Sequence, residues 1–254
     1  MEKIIEFIIT KDGSNTLYSK EYSQHYHNCN DGALQESLTK HIIPAFSYIK
    51  LNKTLNILDI CFGLGYNTLA TLYYIQKYNL NIKVNIFSPE LNKELLQNLI
   101  KFEYPKEFKK LLKIIDSITN HGYYKDKMCN IEVYNGDARE YLKQLKEKNI
   151  QFDIVYQDPF SADVNKALWS VEYFKDIYSL LDQKGIVTTY SIATPVRLSM
   201  SEAGLKIYEI KNDTQRKSTI ALKIQSDNFK YIDMELKKQR NPNAKALRDN
   251  DNKG

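Results

Sequence analysis

The 254-residue chain is poor in cysteine, has a single tryptophan, and has no long apolar run. No window approaches the ~18 consecutive apolar residues that a membrane helix needs. Cys29, Cys61 and Cys129 are too few and too scattered for a zinc site or a disulfide framework. Met1–Ile9 alternates like a strand, Glu6 interrupts it, and no small-residue cleavage site follows, so no signal peptide is read. Reduced thiols and no membrane segment make the cytoplasm the expected compartment. There are no internal repeats. Net charge is +5, which permits a nucleic-acid partner without demanding one. Much of that charge sits in a Lys-, Asn-, Ile- and Tyr-rich composition that an AT-rich genome produces unaided.

A hydrophobic content of 43% is enough for one α/β domain with additions. After about residue 54 the pattern alternates strands and helices, which predicts a parallel, doubly wound sheet. Strands are expected at Leu55–Ile60, Lys83–Ser88, Ile131–Tyr134, Phe152–Tyr156 and Ile186–Tyr190. Helices are expected from Asn67, over Leu91–Leu99, Glu140–Lys148, Trp169–Leu181 and Pro195–Ala203. Two last strands, Leu205–Ile210 and Ser218–Ile224, have only a loop between them and predict an antiparallel hairpin. A mostly parallel seven-stranded, Rossmann-like sheet with such a C-terminal hairpin is the architecture of class I methyltransferases. Residues 1–50 read as a hairpin and helix covering a cofactor. Within the main domain, 51–236, the stretch 101–130 reads as a helical insertion. Residues 237–254 read as a basic, polar tail with an irregular or frayed end.

In such sheets ligands sit at the carboxyl ends of the strands. Four successive strands here end at Asp59, Glu90, Asp137 and Asp158. After the first comes Cys61-Phe62-Gly63-Leu64-Gly65-Tyr66-Asn67, a tight turn in which Gly63 and Gly65 let backbone approach a ligand. Glu90, about 25 residues past the second glycine, stands where a ribose-binding carboxylate belongs. Asp137 with Ala138 suits an adenine amino group, and Asp158 faces the reacting centre. Each acid alone also reads as a helix N-cap; the repetition at four strand ends favours a site. No lysine follows the glycines, which argues against a phosphate-gripping loop, and the third glycine of the dinucleotide fingerprint is missing. Both absences favour a cofactor without pyrophosphate, and S-adenosyl-L-methionine fits. Cys61 in this turn reads as a nucleophile or as a small residue filling a corner, and the lack of a histidine nearby in sequence favours the second.

The chain resembles the methyltransferase domain of the MnmC family from about Tyr18 to Asp249. The resemblance rests on Tyr22–Asn28, Gly32–Glu36, Phe62–Asn67, Asp158–Ala162 ahead of Leu168-Trp169-Ser170, Val196-Arg197, Glu202–Leu205, Arg216-Lys217 and Asn241–Ala244. It implies S-adenosyl-L-methionine-dependent methylation of the exocyclic amine of 5-aminomethyl-(2-thio)uridine at the tRNA wobble position. It also implies a functional link to the enzymes that make the aminomethyl precursor. Many members carry a fused flavin-dependent oxidase domain. This chain is too short for one and reads as a stand-alone methyltransferase, with no FAD and nothing that demands more than a monomer. The departure is Cys61, which replaces the first glycine of the usual cofactor turn.

On that resemblance Glu36, Asp59, Gly63, Gly65, Asn67, Glu90, Asp137, Ala138 and Asp158 are expected at the cofactor. Asp158 is the catalytic candidate, holding the amine or relaying its proton. The tRNA anticodon stem-loop is the expected partner. Phe160 reads as a platform for the uracil ring or as a core plug. Tyr26 and Trp169 read as pocket walls, although a lone tryptophan is more often core, and Glu36 reads as a site-closing or a solvated acid. Phosphate contacts are assigned to Arg197, Arg216 and Lys217, to Lys109, Lys110 and Lys113, and to Lys237, Lys238 and Arg240, each also readable as a solvated charge. Competing readings are an N-methyltransferase or aminopropyltransferase acting on a protein or small amine, and a non-enzymatic tRNA-binding module.

Overall fold

The computed structural model describes residues 7–51, 54–210 and 216–252. Most of the strand expected at Met1–Ile9 lies outside the described residues; only β1 (Ile8–Ile9) remains, paired with β2 (Asn15–Thr16). A second small hairpin joins β3 (Tyr18–Ser19) and β4 (Gln24–His25). A helix follows in three pieces: α1 (Ala33–Glu36), a π-helical stretch over Ser37–Ile42, and α2 (Ile43–Tyr48). Pro44 supplies a reason for the wide turns. It has no N–H to give and its ring crowds the carbonyl four residues back, so the helix cannot keep regular spacing there.

The main sheet then runs through β5 (Leu55–Ile60), α3 (Tyr66–Lys77), β6 (Val84–Glu90), α4 (Lys93–Asn98), α5 (Leu112–His121), β7 (Tyr123–Lys125) and β8 (Cys129–Asn135). It continues through α6 (Ala138–Glu147), β9 (Phe152–Gln157), α7 (Val171–Leu180), β10 (Leu181–Thr189) and α8 (Thr194–Glu202). It ends with β11 (Lys206–Ile210), β12 (Ser218–Leu222), β13 (Lys230–Tyr231) and α9 (Met234–Arg240). The strand order is β13-β11-β12-β10-β9-β5-β6-β8-β7. Five central strands, β8 to β10, are parallel, and β12, β11, β13 and β7 are antiparallel to their neighbours. This is the class I methyltransferase topology of the seven-stranded expectation, widened by two short edge strands of two and three residues.

Alternation along β5 builds both faces. Leu55 and Ile57 join one buried cluster with Ile86, Ile131 and Ile154; Leu58 and Ile60 join the other with Val155, Phe152 and Val187. Each such side chain stabilises the fold by about 1.5–3 kcal/mol on burial. Both faces of the central strands are covered, which is why they read as near-continuous apolar runs.

Two boundaries differ from expectation. The stretch 101–130 holds a 3-10 turn over Lys106–Leu111, then α5 and β7. The tail is not frayed where it is described. Met234 is buried, and Ala244, Ala246 and Leu247 pack on the second cluster. Arg139 makes two 2.8 Å hydrogen bonds to Asp249, and Val171 N–H donates to the Leu247 carbonyl at 2.9 Å. Its charges mask three apolar residues that give the segment a surface to bury.

Candidate functional site

The chain order reverses between β5 and β9, and the main cleft, about 1160 Å³, opens at the carboxyl ends of these strands and β6. Its floor is the turn after β5. Cys61, Gly63 and Gly65 all take left-handed φ values, +68°, +54° and +76°. Phe62 N–H donates to the Pro89 carbonyl, Gly65 N–H to the Phe62 carbonyl, and Gly63 N–H to Glu90 Oε2 at 2.8 Å. A Cβ at Gly65 would stand 2.9 Å from Phe62 Cζ, so that position requires glycine. Cys61 is therefore more than a corner filler. It holds a backbone conformation that glycine adopts more cheaply, at the place where the family's turn has glycine. Burial pushes its thiol up, and the Glu90 and Asp158 charges add to this, so the side chain is a neutral thiol.

Of the expected site residues, Tyr26, Glu36, Gly63, Asn67, Glu90, Asp137, Ala138, Asp158 and Phe160 line this cleft. Glu90 accepts from Gly63 N–H and, through Oε1, from Asn92 N–H at 2.8 Å. Burial raises its pKa against those backbone hydrogen bonds. Asp137 is also an N-cap: Oδ1 accepts from Arg139 and Glu140 N–H at the start of α6. Glu36 Oε2 accepts from Asn28 N–H at 2.8 Å and stands 3.7 Å from His27 Nδ1.

Four expected residues stand outside the lining. Gly65 is buried at the end of the turn, as the N-cap of α3. Asp59 is 1% exposed; its Oδ2 accepts from Thr68 Oγ1 at 2.9 Å and its Oδ1 from Asn67 Nδ2 at 3.3 Å. Trp169 is fully buried, so it forms no wall; its Nε1 donates to the Phe160 carbonyl at 2.8 Å. Arg197 is 3% exposed, which corrects its assignment as a phosphate contact. Its Nε donates to Thr219 Oγ1 at 2.9 Å and its guanidinium stands 3.4 Å from Glu209 Oε2. Of the remaining cations, Lys109 and Lys110 are exposed, Lys113 lies over the Tyr124 ring, Lys217 pairs with Glu209, and Lys238 with Glu202.

Asp158 is 16% exposed at the cleft. Asn67 Nδ2 donates to its Oδ2 at 2.9 Å, and His41 Nε2 stands 3.4 Å from its Oδ1. Burial works to raise its pKa. The His41 and His27 imidazoles and the Asn67 hydrogen bond outweigh this and hold it below the usual carboxylate value. Asp59 goes the other way. Burial is the largest cause, the Asp158 charge adds to it, and the pKa is pushed up to about 7 despite the Thr68 bond. One asparagine thus bridges a carboxyl favouring its proton and a carboxylate favouring its charge, a division of the kind that acid–base sites use.

The sequence named residues 1–50 as a cover and Tyr26 and Phe160 as pocket candidates, but it assigned no task to Tyr22, Gln24 or Ser161. Tyr22 stacks on Phe160 at 4.6 Å and Tyr26 meets the same ring edge-on at 5.0 Å. Gln24 Nε2 donates to Ser161 Oγ at 2.6 Å, and Gln24 Oε1 accepts from Ser161 N–H at 3.2 Å. The loop below is pinned by Trp169 and by the Tyr190 hydroxyl, which donates to the Pro159 carbonyl at 2.9 Å. Tyr190 and His41 were also missed. Tyr190 sits at the end of the fifth parallel strand, a position the strand-end rule would have flagged; His41 carries no local signal. Among the described residues no group of three or more His, Cys, Asp and Glu is arranged to hold a metal ion, and no helix is long and apolar enough to cross a membrane.

Residues 102–224 match a family described as S-adenosyl-L-methionine-dependent methyltransferases. The structure of MnmC2 from Aquifex aeolicus superposes with a TM-score of 0.83 at 30% identity, covering 98% of this chain and 80% of that one. An uncharacterised protein of Methanocaldococcus jannaschii is 29% identical over 229 residues, 87% of this chain and 60% of that protein. The tRNA 5-methylaminomethyl-2-thiouridine biosynthesis bifunctional protein MnmC of Campylobacter jejuni subsp. doylei is 25% identical over 232 residues, 82% of this chain and 35% of that protein. The chain thus spans less than two thirds of the length of these two relatives.

Proposed function

The chain belongs to the MnmC family of S-adenosyl-L-methionine-dependent methyltransferases, and from that premise we propose that it methylates the exocyclic amine of 5-aminomethyl-(2-thio)uridine at the tRNA wobble position. The observation that carries the reading is Asp158. It is a carboxylate held below the usual pKa, in the same cleft as the Gly63 turn and the Tyr22, Tyr26 and Phe160 rings. The residues present fit the cofactor. The turn offers backbone at Gly63, where an added Cβ would stand 3.3 Å from the Tyr26 ring, and Asn67 Oδ1 is a buried acceptor without a partner among the described residues. Glu90 would take the ribose hydroxyls, Asp137 and Ala138 the adenine edge, and Asn67 and Glu36 the remaining polar groups. Gly65 and Asp59 would act from outside the lining, by shaping the turn and fixing Asn67.

When bound, S-adenosyl-L-methionine supplies an electrophilic methyl group for in-line displacement by a neutral amine. A primary amine is mostly protonated at neutral pH, so Asp158 has two tasks: to hold the ammonium by hydrogen bond, and to accept or relay its proton as the nitrogen lone pair is freed. Aligning amine and donor supplies roughly 7–11 kcal/mol of the barrier. The wobble base leaves the anticodon stack to enter, and Phe160 with Tyr26 offers it ring faces. Trp169 serves by holding the Phe160 backbone. Exposed Lys109 and Lys110 are available for phosphates.

The test is incubation with labelled S-adenosyl-L-methionine and bulk tRNA from cells lacking the protein, followed by nucleoside analysis. Label in a methylaminomethyl-uridine supports the reading. Label only in protein or polyamine would assign the cleft to another amine, and no transfer to any acceptor would make the chain a binding module.

A further inference from the structure

His41 has been given no task in the proposed reaction, yet it stands beside the candidate catalytic carboxylate from outside the cavity lining. It is fully buried, does not line the cavity, and sits in the π-helical stretch between α1 and α2. Such wide turns are uncommon and recur at functional sites. The ring lies edge-on to Tyr156 at 5.6 Å; Nδ1 is 2.9 Å from Thr188 Oγ1 and Nε2 is 3.4 Å from Asp158 Oδ1. Among the described residues no hydrogen bond satisfies Nε2.

Proton counting constrains this pair. If Thr188 donates to Nδ1, a neutral imidazole carries its proton on Nε2, facing Asp158. If Nδ1–H donates to Thr188, a neutral ring would turn a lone pair on a carboxylate, so the ring must be imidazolium. In both arrangements an N–H faces Oδ1 whenever Asp158 is ionised. With Asn67 on Oδ2, each carboxylate oxygen then has one nitrogen neighbour and keeps a lone pair for the cleft.

We propose that His41 is the positioning residue for Asp158, holding its carboxylate ionised and fixed in aim while the substrate amine gives up its proton, with Thr188 setting the imidazole for that task. The inference rests on the reading of Asp158 given above. Without His41, Asp158 would face Asp59 across a single asparagine amide, with His27 and Asn67 left to favour its ionisation. The titratable groups around Asp158 are His41 and His27, Asp59 and Cys61 from the β5 end, and Tyr190 from the β10 end. Around His41 they are Asp158, Asp59 and Tyr156. Of these, only the two histidines can place positive charge beside Asp158.

The experiment compares wild type, His41→Phe, His41→Gln and Thr188→Val in two readouts. One is single-turnover methylation against pH, with cofactor affinity measured separately. The other is the carboxyl titration of Asp158 by carbon NMR in aspartate-labelled protein without substrate, assigned with Asp158→Asn. The expected result for His41→Phe is a rate lowered by about 10²-fold, with cofactor affinity nearly unchanged and both the acid limb and the Asp158 titration moved to higher pH. Gln restores a donor towards Asp158, so it recovers about tenfold of that loss and moves the titration back. Thr188→Val moves it in the same direction as Phe, by less, and keeps the test open if the Phe variant does not fold. An Asp158 titration unmoved in the variants that fold overturns the proposal. If wild type methylates no tRNA nucleoside, the functional reading fails, while the titration still decides the role of His41.

Discussion

Asp59 and Asp158 share the Asn67 amide, and the difference between them sets a pH dependence of stability. Asp59 is shifted up to about 7 from 3.8. Across that interval the folded protein binds more protons than the unfolded chain. Its contribution to stability is therefore complete at low pH and is lost as pH rises from about 4 to about 7. Asp59→Asn removes this term. In denaturant titrations across pH, the stability of the Asn variant relative to wild type is expected to rise through that interval and to level off above about 7. A difference that stayed flat would show that Asp59 ionises normally. The strand-end rule located both carboxyls correctly in the chain. It could not assign their protonation, because that depends on burial and, for Asp158, on His41, which is 117 positions away in sequence and joined to it only by the fold.

At the scale of elements, the parallel strands were legible because both faces are buried and their apolar runs are continuous. The edge strands β7 and β13 were not, since two or three mostly exposed residues carry no periodicity. The described tail is irregular over 241–248, as expected, but it packs rather than frays, and its charged residues outnumber the few that pack. Trp169 shows what a motif can and cannot say. Its spacing from Asp158-Pro159-Phe160 was visible, but whether the ring faced the cleft or the core was not. Since Nε1 holds the Phe160 carbonyl, Trp169→Phe keeps most of the buried ring and loses the bond. It is expected to cost about 1–3 kcal/mol of stability and to lower turnover. Trp169→Ala would cost about 3–5 kcal/mol and confound the two effects. Thermal melts beside methyl-transfer rates check this; a Phe variant with wild-type turnover would make Trp169 core alone.

Over the whole molecule, the N-terminal segment and the loop after β9 meet at one cleft, and the π-helical stretch reaches Asp158 from outside the cleft lining. Gln24 and Tyr22 come from the N-terminal segment, Asp158, Phe160 and Ser161 from the loop, and His41 from the π-helical stretch. Sequence pattern located the sheet and the glycine turn, and the family resemblance suggested the acceptor. Neither disclosed that the N-terminal segment is clasped to the loop after β9 through Gln24 and Ser161, because side-chain pairs distant in sequence leave no local periodicity. The central claim is that Asp158 manages the acceptor amine in this cleft. Its most direct measurement is single-turnover transfer of labelled methyl to the wobble nucleoside of tRNA at saturating S-adenosyl-L-methionine, with wild type and Asp158→Asn in parallel. The account predicts label in methylaminomethyl-uridine for wild type, and a rate lower by about 10²-fold or more for the variant with cofactor binding retained. Equal rates for the two proteins, or label appearing only in another nucleoside, would contradict it.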